Sequence, residues 1–287
     1  MRRQIPYSTR GFAKAGEKRT SNKTFRKERI IIMDNGSSGI VTRMGHIFHN
    51  ADQRAFIVAL DHGIVGNLPG IENLAGTLAA IIEGEPDGIV VSAGAFPSLA
   101  KMTDGKIGII LTLDTYLTSS IPRSNSMEEE HRLLSTVEHA ITLGADAVKI
   151  FLVGGQKSLQ GFADNVEKVA QVGNECLRWG IPLIVEPTLW GGKIPNEKKH
   201  DPELISHMSR IAYESGATIL KIPYPGAEAL EKIVGNLPCP ILIMGGSNVG
   251  SEDEMLALVR EVVAAGAQGI VFGQNIWQRK AVTSVVR

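Results

Sequence analysis

Gly144-Ala145-Asp146-Ala147-Val148-Lys149-Ile150-Phe151-Leu152-Val153, then the long segment Gly161–Arg178, then Gly180-Ile181-Pro182-Leu183-Ile184-Val185-Glu186, is the stretch that decides the fold. A continuous apolar, β-branched run without alternation predicts a strand covered on both faces. The segment after it carries Phe162, Val166, Val169 and Val172 at helical spacing, and Gly180 stands where a left-handed cap is expected. A second run follows at once, so the unit reads strand, helix, strand, with the two strands parallel through a right-handed crossover.

The same unit recurs from Met44 onward. The apolar runs are Phe56–Leu60, Gly88–Ser92, Ile107–Leu113, Ala147–Val153, Pro182–Val185, Ala217–Ile222, Pro240–Met244 and Gly269–Phe272. Helices are predicted between them, among them Met127–Leu143 with Leu133, Leu134, Val137 and Ile141 on one face, and Gly144, Gly216, Gly235 and Gly266 are expected as further stops. Eight strand–helix units between Met44 and Arg287 match the roughly 250 residues of an α/β (β/α)8 TIM barrel. A doubly wound open sheet would need a phosphate loop after its first strand, where Asp61-His62-Gly63 stands instead of GxGxxG.

Composition excludes other classes. The chain has 287 residues, 43% hydrophobic and 21% charged, which rules out disorder and collagen. Two cysteines, Cys176 and Cys239, make no disulfide framework, so a reducing cytoplasm is the expected compartment and burial their expected role. No apolar run approaches the roughly 18 residues of a membrane span.

The net charge of zero hides an asymmetry: ten Lys and Arg against Glu17 and Glu28 fall in residues 1–30. Residues 1–43 are therefore expected to form a basic, mobile extension, a solvated tail or a stretch upstream of a start at Met33 or Met44, with 44–287 as the barrel. No aromatic interleaving supports nucleic-acid binding, and no nucleic-acid or membrane partner is expected.

In a barrel, chemistry sits at the C-terminal ends of the strands. The charges there are few: Asp61 and Asp114 at the ends of the first and third runs, Lys149 inside the fourth, Glu186 ending the fifth and Lys221 inside the sixth. Lysine is almost never buried without a partner. One explanation is a buried ion pair with Glu186, Asp61 or Asp114. The other is amine catalysis, in which burial beside a second ammonium lowers a lysine's pKa and frees its amine to attack a carbonyl. Of the seven histidines only His62 lies at a strand end, the others falling on loops and helices, so no metal site is expected.

Asp61-His62-Gly63, Leu220-Lys221-Ile222, Met244-Gly245-Gly246-Ser247 and Gly273-Gln274-Asn275-Ile276-Trp277-Gln278 resemble the Schiff-base aldolases of the DeoC/FbaB superfamily over Met44 to Gln278. The glycine motifs are similar to those of the archaeal-type class I fructose-bisphosphate aldolases, and Ala147-Val148-Lys149 with Glu186 to the tagatose-bisphosphate aldolases. The resemblance implies that Lys221 forms an imine with a ketone, that Lys149 lowers its pKa and contacts a substrate oxygen, that Glu186 shuttles protons and that Asp61 orients a hydroxyl. It further implies a phosphate held by Gly245, Gly246, Ser247, Gly273 and Gln274, a sugar phosphate or polyol as substrate, no cofactor and a closed homo-oligomer.

Two positions depart from the archaeal pattern. Thr188 stands where a tyrosine is usual, leaving Tyr224 and Tyr116 as reserves for proton transfer, and Gln274 replaces an arginine. The alternatives are acyl or ketol transfer by the same lysine, as in the related thiolase and heptulosonate synthase, and a barrel that only binds.

Overall fold

The computed structural model describes residues 37–103, 105–122, 124–126, 128–246 and 250–287. The basic segment through residue 36 and Ser247 lie outside the described residues. Strands β1 (Ala55–Ala59), β2 (Gly88–Val91), β3 (Gly108–Thr112), β6 (Ala147–Val153), β7 (Leu183–Thr188), β8 (Ile219–Ile222), β9 (Ile241–Met244) and β10 (Gly269–Phe272) close into one parallel barrel in the order β1-β10-β9-β8-β7-β6-β3-β2. Each of the eight apolar runs becomes one of these strands. A separate antiparallel hairpin joins β4 (Asp114–Leu117) to β5 (Glu130–Leu133).

The core has two shells, as alternation of side chains across each strand requires. Val148, Ile150, Leu152, Leu183, Val185, Leu220, Ile241 and Ile243 face outward against the helices. Ala147, Ile184, Ile219, Leu242, Val271, Ile57 and Ala59 fill the barrel interior. Helix α1 (Ser38–Ile47) closes its lower end by inserting Ile40, Met44 and Ile47 into the same interior cluster, so the described fold starts upstream of Met44.

The helices follow local chemistry. Helix α5 (Leu159–Trp179) starts where the Ser158 side chain accepts a hydrogen bond from the Gly161 N–H and stops at Gly180 with φ 63°. It buries Val169, Val172 and Cys176. Gly144, Gly216 and Gly266 also take positive φ, while Gly235 sits inside helix α7 (Ala227–Asn236).

The predicted helix over Met127–Leu143 is the main miss. Glu130–Leu133 within it is β5, and among the described residues only Val137–Leu143 is helical, as α4 between β5 and α5. Two interactions win over the apolar spacing: Thr136 caps α4 by accepting from His139 N, and the backbone of Leu134 and Ser135 donates to Leu113 O at the end of β3. Leu133 and Leu134 are consequently exposed rather than facing a helix.

Candidate active site

Parity places the site. Lys149, Glu186 and Lys221 each stand two residues beyond an interior apolar residue, namely Ala147, Ile184 and Ile219, and therefore point into the barrel one layer higher. Asp61, two residues beyond the interior Ala59, opens the turn after β1. The lower interior is apolar and its upper layer is charged, at the strand ends where barrel enzymes carry their active sites.

The four groups form one chain of contacts. Lys221 Nζ lies 2.8 Å from Glu186 Oε2, and Lys149 Nζ lies 3.3 Å from the same oxygen and 3.2 Å from Asp61 Oδ2. Asp61 Oδ2 also accepts from the Thr112 hydroxyl at 2.6 Å. Two lysines thus meet two carboxylates in one buried quartet, so each lysine has the carboxylate partner that its burial requires.

The two lysines are not equivalent. Lys149 is fully buried, with Phe151 over its ammonium at 3.1 Å from the ring centroid, whereas Lys221 retains 6% exposure and, among the described residues, pairs with Glu186 alone. Burial works against the Lys149 charge, but Glu186, Asp61 and the more distant Asp114 outweigh it and raise its pKa. The expectation that burial would lower a lysine's pKa therefore fails at Lys149, which is held as an ammonium. Asp61 shows the mirror case: burial pushes its carboxyl up, yet Lys149, Lys221, His62 and the Thr112 hydroxyl hold it far below the usual range. A raised pKa favours the ammonium form of Lys149 over its free amine.

Substituting Lys149 by Met is expected to destabilise the barrel by about 3–5 kcal/mol, the cost of leaving buried carboxylates without their partner. Urea unfolding of the variant beside the native chain measures it. A loss below about 1 kcal/mol would mean that the quartet is not desolvated as the contacts indicate.

Asp114 is not among the four. Its Oδ2 meets His131 Nε2 at 2.6 Å and accepts from Phe151 N at 2.7 Å, continuing the ladder of β6 where β3 has ended. Asn165 of α5 joins His131 Nδ1 to the Phe151 carbonyl. This buried network fastens the hairpin beside β6 and fixes the backbone that carries Phe151. His131 thus lies on a strand, not on a loop or helix. Glu129, just before β5, accepts from the backbone N–H groups of Lys157 and Gly192, tying the hairpin to the loops after β6 and β7.

The reserve tyrosines lie elsewhere. Burial together with Glu261 of helix α8 (Glu252–Ala264) pushes the Tyr224 phenol up to about 12, and burial together with Glu129 raises that of Tyr116. Neither is poised to exchange protons near neutrality. Burial, assisted by Lys221, lowers the pKa of His62, against the pull of Asp61 and Glu186. Its ring stands edge-on to Trp277, 5.4 Å between centroids, and Trp277 donates to Ala59 O at 3.0 Å, which is a packing role. Among the described residues no group of three His, Cys, Asp or Glu side chains is placed to hold a metal ion.

Gly245 and Gly246 follow β9, and Gly273 follows β10. A Cβ on Gly273 would meet His62 at 2.7 Å, and one on Gly245 would meet Phe272 at 2.9 Å, so both positions are set by close packing. Gly245 N donates to Val271 O and is committed to the barrel, whereas a Cβ on Gly246 would meet open space. Gln274 follows Gly273 at the start of the short helix α9 (Gln274–Trp277).

Sequence reasoning did not single out Thr112 or Phe151. Both sit on the inward parity of their strands beside a charged residue, and that parity was the available signal.

The chain is similar to known proteins over the whole barrel. Residues 55–279 match the DeoC/LacD family aldolase profile. The chain is 34% identical over 250 residues to an uncharacterised aldolase of Saccharolobus solfataricus, covering 84% of this chain and 89% of that one. It is 33% identical to 2-amino-3,7-dideoxy-D-threo-hept-6-ulosonate synthase 1 of Archaeoglobus fulgidus, covering 82% and 83%. Among solved structures, an archaeal fructose-1,6-bisphosphate aldolase with its catalytic lysine covalently bound to the carbinolamine intermediate superposes with a TM-score of 0.71 at 26% identity, over 86% of this chain and 96% of that one.

Proposed function

The chain belongs to the DeoC/LacD family of class I, Schiff-base aldolases, and from that premise we propose that it makes and breaks a carbon–carbon bond of a ketose phosphate through an imine on Lys221. The observation that carries this reading is the contact of Lys221 Nζ with Glu186 Oε2 at 2.8 Å, with Lys149 Nζ 3.3 Å from the same oxygen.

The steps follow from that contact. Glu186 takes a proton from Lys221, whose amine attacks the ketone carbon; the carbinolamine loses water as Glu186 returns the proton. The iminium now draws electrons from the adjacent carbon chain. Glu186 removes the proton of the hydroxyl one bond beyond, the carbon–carbon bond breaks, and an aldehyde leaves behind an enamine that the same carboxyl reprotonates at carbon. Lys149 stays an ammonium and donates to a substrate oxygen, and Asp61, fixed by Thr112, accepts from a hydroxyl. Hydrolysis then frees Lys221.

Sodium borohydride with fructose 1,6-bisphosphate, tagatose 1,6-bisphosphate and fructose 1-phosphate, followed by intact mass and peptide mapping, tests the reading. An adduct on the peptide bearing Lys221 is expected. An adduct on Lys149, or none with any of the three, overturns it.

The phosphate is assigned to Gly246, Gly273 and Gln274, with Ser247 next in the chain. A neutral amide at 274 donates hydrogen bonds without charge, so Gln274→Arg is expected to raise kcat/KM for a phosphorylated ketose by roughly tenfold or more and to leave its unphosphorylated analogue unchanged. Loss of activity in the arginine variant would show that residue 274 serves a hydroxyl. The similarity to the Archaeoglobus synthase supports a second reading, in which the enzyme hands the same lysine-bound fragment to an acceptor other than a simple aldehyde.

A further inference from the structure

Lys149 and Phe151 stand two residues apart on the inward parity of β6, and the Phe151 ring lies against the Lys149 ammonium, 3.1 Å from Nζ to the ring centroid. An ammonium has three N–H donors and no acceptor. Three neighbours meet them: Asp61 Oδ2, which accepts at 3.2 Å, Glu186 Oε2 at 3.3 Å, and the face of the ring. Lys149 has no exposed surface, so water does not reach its ammonium. The group that the aldolase reading assigns to a substrate oxygen is therefore engaged and covered in the free enzyme, and one of its three neighbours must give way before substrate can be met.

The carboxylates are held. Asp61 takes the Thr112 hydroxyl at 2.6 Å and Glu186 is shared with Lys221 at 2.8 Å, so withdrawing either would strip a buried charge of its partner. The ring is neutral, and it is the most exposed of the three: Phe151 is half-buried, and its ring leans on Trp190, 38% exposed, at 5.3 Å between centroids. The backbone is fixed on both sides, since Phe151 N donates to Asp114 Oδ2 at 2.7 Å and Phe151 O accepts from Asn165 Nδ2 at 2.9 Å. Any displacement of the ring therefore falls on its side-chain torsions. Resting on the aldolase reading above, we infer that Phe151 gates Lys149: its ring face holds the ammonium in the free enzyme and turns aside when a substrate oxygen takes its place. Phe151 is a positioning residue in this scheme, acting through Lys149. The ring then stabilises the free enzyme and competes with substrate, so its removal moves stability and affinity in opposite directions.

The test uses fructose 1,6-bisphosphate, tagatose 1,6-bisphosphate and fructose 1-phosphate as probes and reads the concentration that gives half-maximal borohydride trapping on Lys221. Phe151→Leu keeps an apolar side chain without the ring and is expected to lower that concentration by roughly tenfold, the scale of a desolvated cation–π contact. Phe151→Tyr keeps the ring and should stay within about twofold of the native enzyme. In urea the ligand-free leucine variant should unfold at a lower midpoint than the native chain, and the gap should narrow when the trapped ketose is present at saturation. A side chain that merely packs would weaken stability and binding together. An unchanged or raised half-saturating concentration in Phe151→Leu, with the adduct still on Lys221, therefore overturns the gate and leaves the aldolase reading intact. Should the leucine variant not fold, Phe151→Met carries the same comparison. Absence of any adduct on Lys221 in the native enzyme removes both.

Discussion

Lys221→Met is expected to abolish borohydride trapping and to reduce aldol turnover by roughly 10⁴–10⁶-fold, the scale on which enzymes lose rate when the covalent nucleophile is removed. The fold should survive. Lys221 is the outer member of the quartet, and in its absence Glu186 keeps Lys149 at 3.3 Å and Asp61 keeps both Lys149 and Thr112. The destabilisation should therefore be smaller than that of Lys149→Met, which strips a partner from both carboxylates at once. Lys221→Arg separates charge from nucleophilicity, because a guanidinium stays protonated and forms no imine. Both variants should give native-like circular dichroism and no adduct. Residual trapping on Lys149 would contradict the distinction drawn between the lysines, since the carboxylates around that side chain raise its pKa.

The barrel was legible because its strands are covered on both faces, and such strands write themselves as unbroken apolar runs. The site was legible for the same reason turned around: Lys149, Lys221 and Glu186 interrupt or end runs in which every neighbour is apolar. The hairpin was not. Leu133 and Leu134 imitate a helical face with Val137 and Ile141, and nothing local shows that Leu113 O will take the backbone N–H groups of Leu134 and Ser135. That contact joins segments about twenty residues apart, and so does the Asp114–His131 pair.

Long-range pairing also decides the electrostatics. Burial of Lys149 could be foreseen from its strand, but the sign of its pKa shift depends on how many carboxylates reach it, and the sequence does not count them. Thr188 is a related case. In sequence it is only the position where a tyrosine is missing, while the structure shows a buried hydroxyl without a partner at the end of an inward-facing row.

Glu186→Gln is expected to lower turnover by roughly two to four orders of magnitude, the contribution of a well-placed general acid and base, while an adduct on Lys221 still forms. The glutamine keeps the shape of the side chain and its hydrogen bond to Lys221, so any loss reflects proton transfer and charge rather than packing. The steps divide cleanly. Attack by the amine needs a proton acceptor only once, and water can serve; cleavage and reprotonation at carbon need an acid and base held over the substrate, and no other carboxylate lies within ion-pair distance of Lys221 among the described residues. The variant should therefore accumulate trapped imine under conditions where the native enzyme turns over, and a single-turnover experiment with quenching by borohydride would show a slow decay after a rapid rise. Near-normal turnover would transfer the proton to Asp61 or to water. Loss of trapping together with turnover would mean that Glu186 is needed for the imine itself, and the carboxylate would then act first on Lys221 and only second on the substrate.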